Sequence, residues 1–325
     1  AASDVYKRQL ENFIYSVNVT FPIFLVMVIG WFLRQRGMFN DNFINIANKF
    51  NFTVTLPFMV FRDISAVDIR KVFDAEYVLF CAVATSVCFW GIWAAARFLM
   101  KDKSMTGAFV QASFRSSAAV MGLAFISNLY GPSAMGPLMI IGAVPLYNIY
   151  SVLVLTFEAE GEEQDRDTGK LKEACVNILK NPIILSIALG LAVSLLRLDF
   201  PVLIDKTINN VASMATPLAL ITLGAGFEGK KALAKIKPTL VAAFIKLVAQ
   251  AAVFIPVAIH FGFTGEKLIA IMVMLAAPAT PSCYIMAKSM KNDDVLTASI
   301  IVVTTLLAAF TLTGWIFILR TMGYI

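Results

Sequence analysis

Arg115 is the residue best placed to do chemistry. It lies about nine residues into an apolar run, 106–129, near the depth of a bilayer midplane if that run spans a membrane. A charge at that depth costs on the order of 3 kcal/mol on insertion scales, so it marks a functional position by default. A guanidinium grips a carboxylate through two parallel N–H donors. Ser116 and Ser117 add hydroxyls beside it, and Gly122 permits close helix approach or a break. Two roles stand for Arg115: contact with an anionic substrate, or a brace that pairs with backbone carbonyls.

A second run, 266–288, contains Pro278, Thr280, Pro281 and Ser282. Two prolines three residues apart remove two backbone donors and crowd the preceding carbonyls, so the helix should break there. The carbonyls this frees are tolerable only where they line a cavity or meet a neighbour. Lys246 sits mid-run in 238–260 with Gln250 one turn further on the same face. The lysine could pair with a carboxylate, occupy the place of a coupling cation, change protonation, or reach a water-filled cleft. Asn148 follows Pro145 and Tyr147, where amide, phenol and kink make a plausible further wall of a site or a simple interhelical contact. Arg62 and Asp63 read as a pair near the outer surface.

The elements that must position these residues are membrane helices. The chain is 59% hydrophobic and 15% charged, with mean hydropathy +0.78. A soluble domain carries about 25% charged residues. A spanning helix needs roughly 20 mostly apolar residues. Ten such stretches occur, near 12–33, 43–64, 77–99, 106–129, 134–157, 182–198, 206–227, 238–260, 266–288 and 296–320. Unbroken runs without alternation argue for helices and against a barrel. The fold class is therefore an all-α polytopic membrane protein.

The chain also repeats itself. Pro22-Ile23 and Gly30 return as Pro182-Ile183 and Gly190, and Thr55-Leu56-Pro57 aligns with Ala215-Thr216-Pro217, all at an offset of 160 residues. Five spans per half force the second copy to insert inverted, which is an architecture of secondary transporters. The expected organisation is a tail (1–11), a first five-helix repeat (12–157), a linker (158–181) and a second repeat (182–325). The offset sets Ser117 against Ala277 and Ala118 against Pro278, so spans four and nine are expected to be broken and to cross. Their half-helix N-termini would then offer unpaired N–H groups and positive dipole ends to an anion. The kinks at Thr55-Leu56-Pro57 and Thr216-Pro217 should bend spans two and seven.

Charge sets orientation. One side of the ten-span arrangement holds nine Lys and Arg and the other sixteen, with Arg115 and Lys246 inside spans. The richer side is expected to be cytoplasmic, placing both termini outside and the acidic and basic 158–181 loop inside the cell. The net charge of +6 needs no nucleic acid to explain it. Four cysteines without a CxxC pair, and His260 as the single histidine, argue against a multi-histidine metal site or a disulfide framework.

Several strings resemble one family. Phe114-Arg115-Ser116-Ser117 with Met121-Gly122-Leu123 and Asn128-Leu129-Tyr130-Gly131 is similar to the fourth helix of the auxin efflux carrier family. The string 217–225, the Ala276-Ala277-Pro278-Ala279 segment followed by Tyr284, Ala287, Lys288 and Asp293-Asp294, and Thr304-Thr305-Leu306 resemble its seventh, ninth and tenth helices. The resemblance implies a fold related to the bile acid–sodium symporters. It implies scaffold helices (1, 2, 6, 7), transport helices (3–5, 8–10), an elevator-like mechanism and organic anions such as auxin, malate or malonate as cargo. Many members carry Asn where Ser117 stands and Pro where Ala124 stands, so the usual amide at the crossing is missing here. About 24 residues join the halves, in place of the long loop of plant exporters, which favours a bacterial-type carrier.

The combined expectation is a secondary transporter of small organic anions in the plasma (inner) membrane, and not an enzyme. Arg115, Ser116, Ser117, Asn148, Pro278, Thr280, Pro281 and Ser282 would form the substrate site, with Lys246 and Gln250 for coupling or charge balance. No cofactor or metal is expected; Na+ or H+ coupling stays open. The lipid bilayer and a second copy docked through the scaffold helices are the expected partners. An anion channel and an intramembrane enzyme are the competing readings. The enzyme lacks an HExxH motif, paired intramembrane aspartates and a Ser–His pair.

Overall fold

The computed structural model describes residues 24–66, 74–118, 135–159 and 179–325, with isolated positions 14, 21, 22, 126 and 176. The tail, most of the linker, Gly122 and the strings around Met121 and Asn128 lie outside the described residues. Among the described residues every regular element is helical.

Helix α1 covers Phe24–Gln35. Helix α2 has two parts, Asp41–Phe50 and Leu56–Ser65, joined by a π-helical turn at Asn51–Thr55. Then come α3 (Ala75–Leu99), α4 (Thr106–Phe114), α5 (Met135–Phe157) and α6 (Pro182–Leu196). Helix α7 is split into Val202–Ser213 and Ala215–Gly226. Helix α8 consists of Ile236–Phe244, a π-helical turn Ile245–Ala249 and Gln250–His260. Helix α9 is two pieces, α9a (Gly265–Ala276) and α9b (Ser282–Ser289), and α10 is Asp294–Thr321. Among the described residues, five stretches are long and apolar enough to cross a membrane: α3, Leu138–Phe157 of α5, Val202–Gly226, Ile236–His260 and α10.

Helix ends follow from side chains the sequence places there. Asn40 caps α2 through the Phe43 N–H, Asp74 caps α3 through Tyr77, Asn181 caps α6 with Pro182 in its first turn, and Asp293 caps α10 through Leu296. Each cap satisfies a donor that the first turn leaves unpaired. Asp74 also accepts from Lys267, which ties the start of α3 to the start of α9a. That bond, with the Tyr77 N–H, holds the Asp74 carboxyl below its ordinary value.

The kinks expected in spans two and seven take different forms. In α2 the irregularity is the π-helical turn, which ends where Leu56-Pro57 begins. In α7 it is a turn at Met214, between the two helical pieces and before Pro217.

Helix packing is closest within two groups, which also meet where α9b packs on α2 and α7. The C-terminal part of α2 packs on α6 and on the N-terminal part of α7, and the N-terminal part of α2 packs on the C-terminal part of α7. Elsewhere α3 packs on α4 and α5, α8 on α9a and α10, and α10 on α4 and α9b. Three glycines, Gly30, Gly190 and Gly224, let backbones meet within the first group. A Cβ on Gly30 would lie 2.2 Å from the Ile221 carbonyl oxygen. A Cβ on Gly190 would lie 3.1 Å from the Phe61 carbonyl oxygen. Glycine is used at such points because the approach leaves no room for a side chain. Gly30 and Gly190 are 160 apart, and so are Phe61 and Ile221.

Candidate functional site

Helix α4 stops at Phe114, and Arg115 is extended at φ −77° and ψ 127°. No proline or glycine lies between Gln111 and Ser117 to force this. Helix α9a stops at Ala276, and Ala277, the residue before Pro278, is extended at φ −69° and ψ 152°. Here the cause is local, because proline disfavours helical backbone in the residue ahead of it. The two extended segments bond to each other. The Ser117 N–H donates to the Pro278 carbonyl at 2.9 Å, and the Ser116 hydroxyl to the Ala277 carbonyl at 3.3 Å.

Carbonyls in the last turns of α4 and α9a are met by side chains from neighbouring helices and, at Val273, by α9a's own C-cap N–H. In α9a, Val273 accepts from the Ala277 N–H, Met274 from the Tyr147 hydroxyl at 3.1 Å and Leu275 from the Lys246 amine at 2.7 Å. In α4, Ser113 accepts from the Gln250 amide. Beyond the α9 break, the Ala279 N–H donates to the Thr304 hydroxyl at 3.2 Å. A broken helix is thus held in a buried place without orphaned backbone at these positions.

Arg115 is 5% exposed. Its Nη2 donates to Asn148 Oδ1 at 2.8 Å, and its Nη1 donates to Ser151 Oγ at 3.2 Å and to the Met286 sulfur at 3.0 Å. Asn148 is oriented in turn by a bond from its Nδ2 to the Val144 carbonyl at 2.9 Å. All these acceptors are neutral, and among the described residues no carboxylate forms an ion pair with Arg115. The guanidinium is oriented by hydrogen bonds while its charge stays uncompensated.

Arg115, Ser116, Ser117, Asn148, Thr280 and Ser282 all line one cavity of about 30 Å³, with Met59, Val60 and Asp63 of α2 opposite. The Thr280 and Ser282 hydroxyls are 3.2 Å apart. Pro278 and Pro281 do not line this cavity; they shape the break, and the Pro278 carbonyl takes the Ser117 N–H. Lys246 and Gln250 do not line it either and hold the crossing from behind.

Asp63 corrects the reading of a surface pair. It does bond Arg62, at 3.0 and 2.7 Å, but its side chain is 14% exposed and faces the Arg115 cavity. Depth along a span gave no sign that the last turn of α2 lies beside the crossing. Ser151 was legible in principle, since it stands one turn beyond Asn148 on the same face. Met286 carried no polar signal. With Asp63 matched by Arg62, the lining has room electrostatically for one added negative charge.

Comparison with known proteins gives the family. A family model described as "Membrane transport protein" matches residues 15–316. A Rhizobium meliloti (strain 1021) protein named "Putative malonate transporter" is 22% identical over 312 residues, 94% of this chain and 96% of that protein. "Uncharacterized transporter YfdV" of Escherichia coli (strain K12) is 21% identical over 208 residues, 62% of this chain. That match spans 66% of YfdV, just under two thirds of its length. The family match covers most of the chain, and the chain belongs to the membrane transport protein family of the auxin efflux carriers.

Proposed function

We propose that this protein is a secondary transporter that moves small organic anions across the plasma (inner) membrane by an elevator-type alternating-access cycle. The observation that carries the reading is Arg115, a buried guanidinium held by neutral partners and aimed at a cavity. A carboxylate would complete it with two charge-assisted bonds. The Ser117 hydroxyl and one hydroxyl of the Thr280–Ser282 pair can donate to the same anion, while the Ser116 hydroxyl is committed to the Ala277 carbonyl. Carboxylates such as malonate, malate or auxin-like acids fit this chemistry, and malonate is the cargo named for the Rhizobium relative.

In this reading α1, α2, α6 and α7 form the scaffold and α3–α5 with α8–α10 the moving body, as the packing groups suggest. The Gly30 and Gly190 contacts support two inverted five-helix repeats. Exchanging halves turns the Gly30–Ile221 contact into the Gly190–Phe61 contact, as a twofold axis between the repeats requires. The cavity lies where scaffold α2 faces the broken helices. A void of 30 Å³ holds about one water, so an organic anion enters only when these surfaces part. An apolar groove of about 650 Å³ on α2, α6 and α7, walled by Phe58, Phe61, Leu185 and Leu203, suits a second copy docking through the scaffold. Both termini outside and a cytoplasmic linker complete the proposal.

The test is uptake of radiolabelled malonate by vesicles containing the purified protein. Arg115→Ala should abolish uptake while the protein still melts cooperatively. Normal transport by that variant would overturn the substrate role. Melting against a panel of carboxylates locates the cargo, because an anion that binds the folded protein raises its melting temperature by mass action.

A further inference from the structure

We propose that Lys246 is a resident cation for the broken helices, filling the place a dissociable metal ion would otherwise take. The inference rests on the transport reading of the Arg115 site, and it concerns the opposite side of the same crossing.

The half-helices α4 and α9a both end at the crossing, and the C-terminal end of a helix carries partial negative charge on carbonyls without partners. In membrane carriers built from discontinuous helices, such ends coordinate the coupling cation. Here α8 serves both ends from one face. Lys246 donates to the Leu275 carbonyl in the last turn of α9a, and Gln250 donates to the Ser113 carbonyl in the last turn of α4. Lys246 has no exposed surface, and among the described residues it forms no ion pair. Its bonded partner is a backbone dipole, the ligand type that hard monovalent cations use.

The backbone is shaped for this. Lys246 lies inside the π-helical turn of α8, a rare geometry that recurs at functional sites. The indole of Trp315 on α10 donates to the Leu247 carbonyl at 3.1 Å and so supports that turn. Lys246 does not line the Arg115 cavity, so it is a positioning residue: it acts on the anion by fixing the α9 break from which Thr280 and Ser282 project. A tethered ammonium cannot leave. The wild-type carrier should therefore need no free sodium to hold the crossing in its binding form.

The experiment uses the full-length purified protein with Lys246→Ala and Lys246→Met. Melting is followed in sodium, in choline and in ethylammonium chloride, each with and without malonate. For wild type, both the melting temperature and the malonate-induced shift should be the same in all three salts. For Lys246→Ala in choline, malonate affinity should fall at least about tenfold, the change a 1.4 kcal/mol loss produces. Ethylammonium, which replaces the deleted ammonium, should raise the variant's melting temperature and restore affinity; Lys246→Met, with the space filled, should not respond. A wild type whose malonate binding requires sodium would overturn the proposal. So would a Lys246→Ala protein indifferent to ethylammonium. The melting arm in the absence of malonate needs no cargo, so failure of the organic-anion reading leaves it standing.

Discussion

Asn148 is where the two roles of Arg115 separate. Its Oδ1 accepts from the guanidinium at 2.8 Å, so replacing the amide by a carboxylate supplies an anion from within. If Arg115 is a site for cargo, Asn148→Asp should remove malonate-induced stabilisation and uptake while the unliganded protein melts no lower than wild type. If Arg115 is only a brace, that variant should transport normally. A hydrogen bond to a charged group contributes about 1.5–3 kcal/mol, so Asn148→Ala should lower affinity at least about tenfold. Arg115 and Asn148 were both visible in the sequence because a charge and an amide stand out in apolar runs. Asp63 was visible but misplaced, since its role depends on which helix α2 faces. Met286 could only be found in three dimensions, because its sulfur approaches Arg115 from a segment 171 residues away.

Among the elements, what the sequence revealed was set by local chemistry. The α9 break could be read from Pro278 and Pro281, which act on their own backbone. Nothing local announces the end of α4, and it could be anticipated only by carrying the α9 break back 160 residues. The π-helical turn in α8 left no such trace, and the one in α2 showed only through Pro57, just past its end. Their sequences, Asn51–Thr55 and Ile245–Ala249, contain no breaker. The glycine contacts make a quantitative prediction. Gly30→Ala drives a Cβ against backbone at 2.2 Å and should destabilise by about 1–3 kcal/mol. At Gly190 the nearest atoms are 3.1 Å away, and the helix-propensity gain of about 1 kcal/mol from alanine offsets much of the strain. Thermal unfolding in detergent should therefore rank Gly30→Ala well below Gly190→Ala. Equal losses would mean that the α1–α7 approach is looser than described.

At the scale of the whole molecule, the tight packing around Arg115 has a kinetic consequence. A carrier whose empty site exposed an unpaired guanidinium would resist moving through the bilayer unloaded, and it would work as an obligate exchanger. Here Arg115 has Asn148, Ser151 and Met286 as partners, and the surfaces meet around only about 30 Å³. Returning empty then leaves these guanidinium donors hydrogen-bonded and enclosed, although the charge moves without a counter-anion. The expected behaviour is net, saturable uptake into vesicles that contain no anion, with little acceleration when malonate is loaded inside. Flux that appears only with internal malonate would mean that the empty form is trapped. Net movement lets such a protein fill or drain a compartment down a gradient; strict exchange can only alter which acid the compartment holds.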